Sequence, residues 1–147
     1  MADYTFFFNP MSRAQIARWA LHEAGADYEP VFVPWDAKPA ALLGANPMGK
    51  LPTIVHHHQG HDHVVSEAAA VCHYLAEMSA PELLPRDEEK ADYFRWLFFA
   101  AGPVEAAVTA KHHGFDSGGD PRKEMSVGWG SYDRVVDTLE GWFDNHD

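Results

Sequence analysis

Tyr4-Thr5-Phe6-Phe7-Phe8-Asn9-Pro10-Met11-Ser12 is the stretch on which the fold turns. Its short aromatic run is that of a buried strand, and Asn9-Pro10 ends it in a turn. Ser12 then opens a helix, and Gln15 three residues later completes the spacing of a capping box, in which side chains satisfy otherwise unpartnered amides. Ile16, Ala17, Ala20, Leu21 and Ala24 recur at helical spacing, and Gly25 stands where a left-handed C-terminal cap belongs. Tyr28 to Val33 is rich in β-branched and aromatic residues and reads as a second strand. A β-α-β start of this kind favours two parallel strands joined by a right-handed crossover.

Working outward, a short alanine-leucine helix is predicted over Pro39 to Gly44. The two-proline turn Asn46-Pro47-Met48-Gly49-Lys50-Leu51-Pro52 follows. Thr53-Ile54-Val55 and Val64-Val65 flank the polar run His56-His57-His58-Gln59-Gly60-His61-Asp62-His63, which makes a hairpin with a polar tip. Ser66 to Met78 reads as a helix. Two prolines then bound a linker, and Asp87-Glu88-Glu89 suits a helix N-terminus. A long apolar helix runs through Phe94, Leu97, Phe98 and Ala101, with a kink expected at Gly102-Pro103. Lys111 to Met125 reads as loop, and Tyr132 to Phe143 as a last amphipathic helix. The order is βαβαββα followed by helices, divided into a domain over 1–79, a linker over 80–86 and a helical region over 87–147.

The composition bounds the function. The chain has 147 residues, 46% hydrophobic, with 11 Lys+Arg against 22 Asp+Glu and a formal charge of −11. That excess repels phosphate backbones and anionic lipid, which argues against nucleic-acid or membrane partners. No apolar run approaches the roughly 20 residues of a membrane span, and the N-terminus lacks the basic region of a signal peptide. One cysteine, Cys72, precludes an internal disulfide and suits a reducing, cytoplasmic setting. Neither a G-x-G-x-x-G nor a Walker segment occurs, so nucleotide chemistry has no support.

Three segments, in this order and at these points of the predicted fold, carry a resemblance: Asn9-Pro10-Met11-Ser12-Arg13, Asn46 to Pro52, and Val65-Ser66-Glu67-Ala68-Ala69-Ala70-Val71. Together they resemble the thioredoxin-like N-terminal domain of glutathione S-transferases, joined to a shortened all-helical second domain. The likeness covers residues 1 to about 85 well and the rest loosely. It implies a detoxifying transferase with glutathione as co-substrate, no metal, a small hydrophobic electrophile, and a homodimer. The alternative is a non-catalytic glutathione-binding or protein-interaction module on the same fold.

The chemistry such a protein needs is a thiolate, because the thiolate is the nucleophile. Lowering a free thiol's pKa from about 8.5 by two units takes roughly 2.7 kcal/mol. In relatives with tyrosine the hydroxyl ends the first strand; here Phe8 stands there, and Tyr4 is at the far end. No cysteine occupies the turn before the helix, so the resemblance leaves Ser12 as catalytic residue, as in serine-type classes. On the residues alone, Ser12 is equally a capping serine.

The resemblance makes Pro52 the family's cis-proline, turning the Leu51 backbone toward the cysteinyl part of glutathione; the other reading is a trans proline starting a strand. Lys50 meets the glycyl carboxylate or is simply solvated. Glu67 accepts from the γ-glutamyl ammonium, or merely complements a helix dipole. The Ala68 amide meets the γ-glutamyl carboxylate; many relatives carry serine at that place. Arg13 is a possible local cation, and Met11 a possible wall of the electrophile pocket.

Two features fall outside this scheme. His56 and His58 share a strand face, as do His61 and His63, which suits zinc or nickel, although a solvated hairpin tip is the simpler reading. Relatives also continue through further helices after the one ending at Phe143. A truncated product is therefore expected, or a dimer partner covering the apolar faces of Phe94 to Val108 and Val135 to Phe143.

Overall fold

A computed structural model describes residues 2–115 and 117–146. Two compact units divide the chain, residues 1–86 and 87–147. In the first, β1 (Tyr4–Phe8), α1 (Ala14–Glu23), β2 (Tyr28–Phe32), α2 (Ala40–Ala45), β3 (Thr53–His58), β4 (His61–Ser66) and α3 (Ala68–Ser79) follow in order. The strands form one sheet ordered β2-β1-β3-β4. β1 and β2 pair in parallel, with Phe8 opposite Phe32, and β3 pairs antiparallel with both β1 and β4. This is the thioredoxin-like arrangement with a helical region behind it in sequence.

The aromatic run of β1 is explained by burial on both faces, which removes the need for polar alternation. Tyr4 and Phe6 join Ile54 and the helix residues Ala14, Ala17, Leu21, Val71 and Leu75 in one core. Phe7 turns the other way, against Val33, Leu42 and Val55. The small residues Ala14 and Ala17 on α1 face that core, which lets the helix lie close to the sheet. Gly25 has φ +58, and its amide bonds His22 O, as a left-handed helix end requires.

The hairpin turns on Gln59 and Gly60, both at positive φ (52 and 78), the pattern of a two-residue connection matched to the strand twist. Its register opposes His56 to His63, His57 to Asp62 and His58 to His61.

The second unit is helical: α4 (Lys90–Phe99), a wide turn of π-helix over Ala100–Val104, α5 (Glu105–His112), α6 (Pro121–Ser126) and α7 (Tyr132–Phe143). The wide turn contains Pro103, whose missing N–H and ring displace the ordinary helical ladder at the expected kink. The loop expected from Lys111 to Met125 is corrected: α5 runs to His112 and α6 occupies Pro121–Ser126. Asp120 accepts the amides of Arg122 and Lys123, and Pro121 stands at the first helical position, a strong start signal. No described helix is long and apolar enough to cross a membrane.

Candidate functional site

Register alone brings three segments to one end of the sheet. Phe7 of β1 opposes Thr53 of β3, and Thr53 opposes Ser66 of β4. The turn leaving β1, the Leu51-Pro52 step entering β3 and the Glu67-Ala68 step entering α3 are therefore neighbours. Ser12, Leu51, Pro52, Glu67 and Ala68 belong to these segments, and Lys50 and Arg13 adjoin them.

The turn after β1 is organised by Asn9, which is buried. Its Nδ2 donates to Val33 O at 2.9 Å, and its Oδ1 accepts the Met11 amide at 2.9 Å. Its carbonyl accepts both the Ser12 amide (3.1 Å) and the Ser12 hydroxyl (2.7 Å). Ser12 Oγ in turn accepts the Ala14 amide at 3.1 Å. The expected capping box is thus corrected. The helix starts at Ala14 with Arg13 in the cap position, so the serine oxygen meets the amide two residues on. The Gln15 amide goes to the Ser12 carbonyl at 3.3 Å instead. Two consequences matter chemically. The Ser12 proton is engaged by Asn9 O, and the amides of Ala14, Gln15 and Ile16 are all taken.

The second turn repeats the device. Asn46 Oδ1 accepts the Met48 amide at 3.2 Å, just as Asn9 serves Met11. Its Nδ2 donates to Thr53 Oγ1 at 3.0 Å, and Thr53 Oγ1 donates to Lys50 O at 2.9 Å, tying the turn to the start of β3. Gly49 is buried with φ +58, and a Cβ there would meet Leu43 Cδ2 at 3.0 Å and Lys38 Nζ at 3.1 Å. Lys38 donates to Gly49 O at 2.9 Å, which adds a cation that sequence order had kept out of view. The Leu51-Pro52 peptide is cis. Leu51 lies one step outside both ladders, and among the described residues no backbone bond uses its N–H or C=O.

At α3 the contrast with α1 is plain. No side chain caps it, and the first-turn amides of Ala68, Ala69 and Ala70 have no backbone partner among the described residues. Glu67, immediately before it, has φ 72 and ψ 123, a region costly for a residue with a side chain and characteristic of sites that demand a fixed geometry. Glu67 is exposed, as are Lys50, Arg13 and Met11. The Arg18 guanidinium lies 5.8 Å from the Phe8 ring centre.

The other thiol and hydroxyl candidates are occupied elsewhere. Tyr4 is buried and bonds Ser79 Oγ at 2.8 Å, and burial raises its pKa. Cys72 is half-buried inside α3, where desolvation raises its pKa and disfavours the thiolate. Of the histidines, His56 is buried and stacks on Tyr4 with ring centres 4.3 Å apart, while its Nδ1 lies 2.9 Å from the Tyr74 hydroxyl. Among the described residues no three His, Cys, Asp or Glu side chains converge to hold a metal.

A four-stranded β2-β1-β3-β4 sheet built in βαβαββα order defines a thioredoxin-like domain. Residues 10–78, a little under half of the chain, match the family Glutathione S-transferase, N-terminal domain. Among solved structures, the chain is similar to the theta class glutathione S-transferase of Xanthomonas axonopodis pv. citri with glutathione bound. That similarity has 26% identity over 73% of this chain and 53% of the other, with a TM-score of 0.61. It is also similar to glutathione S-transferase I from maize in complex with an atrazine glutathione conjugate, at 29% identity, 93% and 62% coverage and a TM-score of 0.61. Omega 2C glutathione transferase from Trametes versicolor shares the fold at a TM-score of 0.72, with 20% identity over 96% of this chain and 63% of its own. The chain thus spans between about half and two thirds of these proteins' lengths. No curated protein matches the sequence.

Proposed function

We propose that this chain binds glutathione at the end of the sheet formed by the three converging segments and holds its sulfur as a thiolate for attack on a hydrophobic electrophile. One observation carries the reading: among the described residues the backbone groups of Leu51 and the amides of Ala68 to Ala70 have no backbone partner, and they lie on neighbouring segments beside the exposed Glu67 carboxylate. Glutathione is a peptide that needs such a set. Its cysteinyl N–H and C=O pair with Leu51 O and N as an added strand would. Its γ-glutamyl carboxylate sits on the amides opening α3, where backbone donors and dipole both favour an anion. Glu67 accepts the neighbouring ammonium. Lys50, with Lys38 beside the same turn, faces the glycyl carboxylate. Pro52 fixes the entry to β3, and Met11 forms an apolar wall for the second substrate.

Ionised glutathione carries a charge of about −2, and the chain itself is strongly acidic. Local cations must therefore outweigh the global field; Arg13, Arg18, Lys38 and Lys50 are those nearest in the chain to the three segments. The sulfur lies toward Ser12 at the amino end of α1. To serve it, the Ser12 hydroxyl leaves Asn9 O and donates to sulfur instead. The two solved relatives at 26 and 29% identity support the ligand, one holding glutathione and the other a conjugate of it with atrazine.

The same hydroxyl favours a second reading. Because Ser12 already donates to Asn9 O and the first amides of α1 are taken, a chain that binds glutathione without activating it fits the geometry too. Exposed Phe98 and Phe143 in the second unit suit a dimer partner, and the lone Cys72 suits the cytoplasm. Retention on immobilised glutathione with turnover of a chlorodinitrobenzene-type electrophile supports the enzyme. Retention without turnover supports the binding module, and a chain that is not retained contradicts both.

A further inference from the structure

The glutathione reading leaves the histidine-rich hairpin unused. Cross-strand partners point to the same side of a sheet, as do residues two apart on one strand. The register therefore puts His56, His58, His61 and His63 on one face and His57 with Asp62 on the other.

These six residues are not equivalent. His57 is committed on its own face: its Nδ1 lies 2.6 Å from Asp62 Oδ1 and its Nε2 2.8 Å from Thr5 Oγ1. His56 is sealed in the core between Tyr4 and Tyr74. That leaves His58, half-buried, and His61 and His63, both exposed on β4, the edge strand of the sheet. His58 is the direct cross-strand partner of His61, and His63 lies two positions along the same strand. Direct partners have Cβ atoms about 4.5–5.5 Å apart, and residues two apart on a strand are about 6.6 Å apart. Three imidazoles on such a triangle reach one ion at the usual metal–nitrogen distance of about 2.0–2.1 Å once each turns about its own side-chain bonds. As they stand in the structure they do not converge on one point.

From this geometry we infer that His58, His61 and His63 form a binding site for a divalent late transition ion on the hairpin face that also carries His56, toward the Gln59-Gly60 tip. Three imidazoles select zinc, nickel or copper over magnesium or calcium, which need oxygen ligands. The bound ion ties the edge strand β4 to β3 across the Gln59-Gly60 turn.

Calorimetric titration of the whole chain with nickel(II) alone at neutral pH tests this, with thermal unfolding in nickel as a second readout. The expected result is saturable one-to-one uptake and a raised melting temperature. Losing one ligand weakens binding at least as much as losing an outer-shell partner does, about 10–100-fold, so His61→Asn and His63→Asn each lower affinity by that factor. Both positions are exposed, and unchanged circular dichroism verifies that the variants fold. The paired substitution His112→Asn with His113→Asn, in the second unit, leaves uptake intact. Uptake that survives His61→Asn or His63→Asn, uptake that follows His112 and His113, or no saturable uptake overturns the inference.

Discussion

Replacing Ser12 by alanine isolates the step on which the proposed catalysis depends. A hydroxyl donating to a charged acceptor is worth about 1.5–3 kcal/mol, and a neutral hydrogen bond about 1 kcal/mol. The Ser12 hydroxyl already donates to Asn9 O at 2.7 Å, so turning it to a thiolate forfeits that bond. The net gain is about 0.5–2 kcal/mol, equivalent to about 0.4–1.5 pKa units at 1.36 kcal/mol per unit. The amino end of α1 adds about 0.3–1 kcal/mol through its dipole, which the substitution leaves in place. Ser12→Ala is therefore expected to raise the pKa of bound glutathione by about 0.4–1.5 units, read as a shift of the thiolate ultraviolet absorbance with pH. Ser12→Thr keeps a hydroxyl at the position and restores most of the effect. The substitution also removes the partner of the Ala14 amide, for which a stability loss of about 0.5–2 kcal/mol is expected by urea unfolding. An unchanged titration curve in a folded variant that still binds glutathione refutes the catalytic role and leaves the binding module.

Glu67→Gly is expected to act in opposite directions on two readouts. Relief of the positive φ stabilises the unligated chain by about 1 kcal/mol in urea unfolding, while loss of the carboxylate weakens glutathione binding in calorimetry. Ala68→Ser adds a hydroxyl at the uncapped start of α3 and should tighten glutathione by about 2- to 10-fold, the worth of one neutral hydrogen bond. His56 should make the fold acid-sensitive. Burial, then His58 and His63, pushes its pKa below the ordinary 6.5. Its contribution to stability is complete above the unfolded value and is lost as pH falls from there toward the lower folded one. The unfolding midpoint should decline below about pH 6.5, and His56→Gln should flatten that decline.

The sheet was legible because β1 carries an aromatic run that only a doubly buried strand explains, and because each later element has its own punctuation. Gly25 at positive φ and the Gln59-Gly60 turn are local chemistry with local consequences. The segment from Lys111 to Met125 misled because few apolar residues mark it, although Asp120-Pro121 announces the start of α6. At the site, sequence order located Ser12 but not the direction of its proton. That depends on Asn9, whose buried side chain fixes the turn through Val33, 24 residues away. The repeated Asn-Pro-Met was the available clue, since both asparagines serve the amide of the methionine two residues on. Lys38 was hidden for a different reason. Its amine reaches Gly49 across a fold of the chain that no spacing rule describes.

The most direct test is a backbone amide NMR titration of the chain with reduced glutathione. The account predicts saturable shifts concentrated at Leu51, Ala68, Ala69 and Ala70, with the hairpin amides at His61 and His63 unmoved. Shifts that leave those four residues untouched, or none at millimolar peptide, would contradict it.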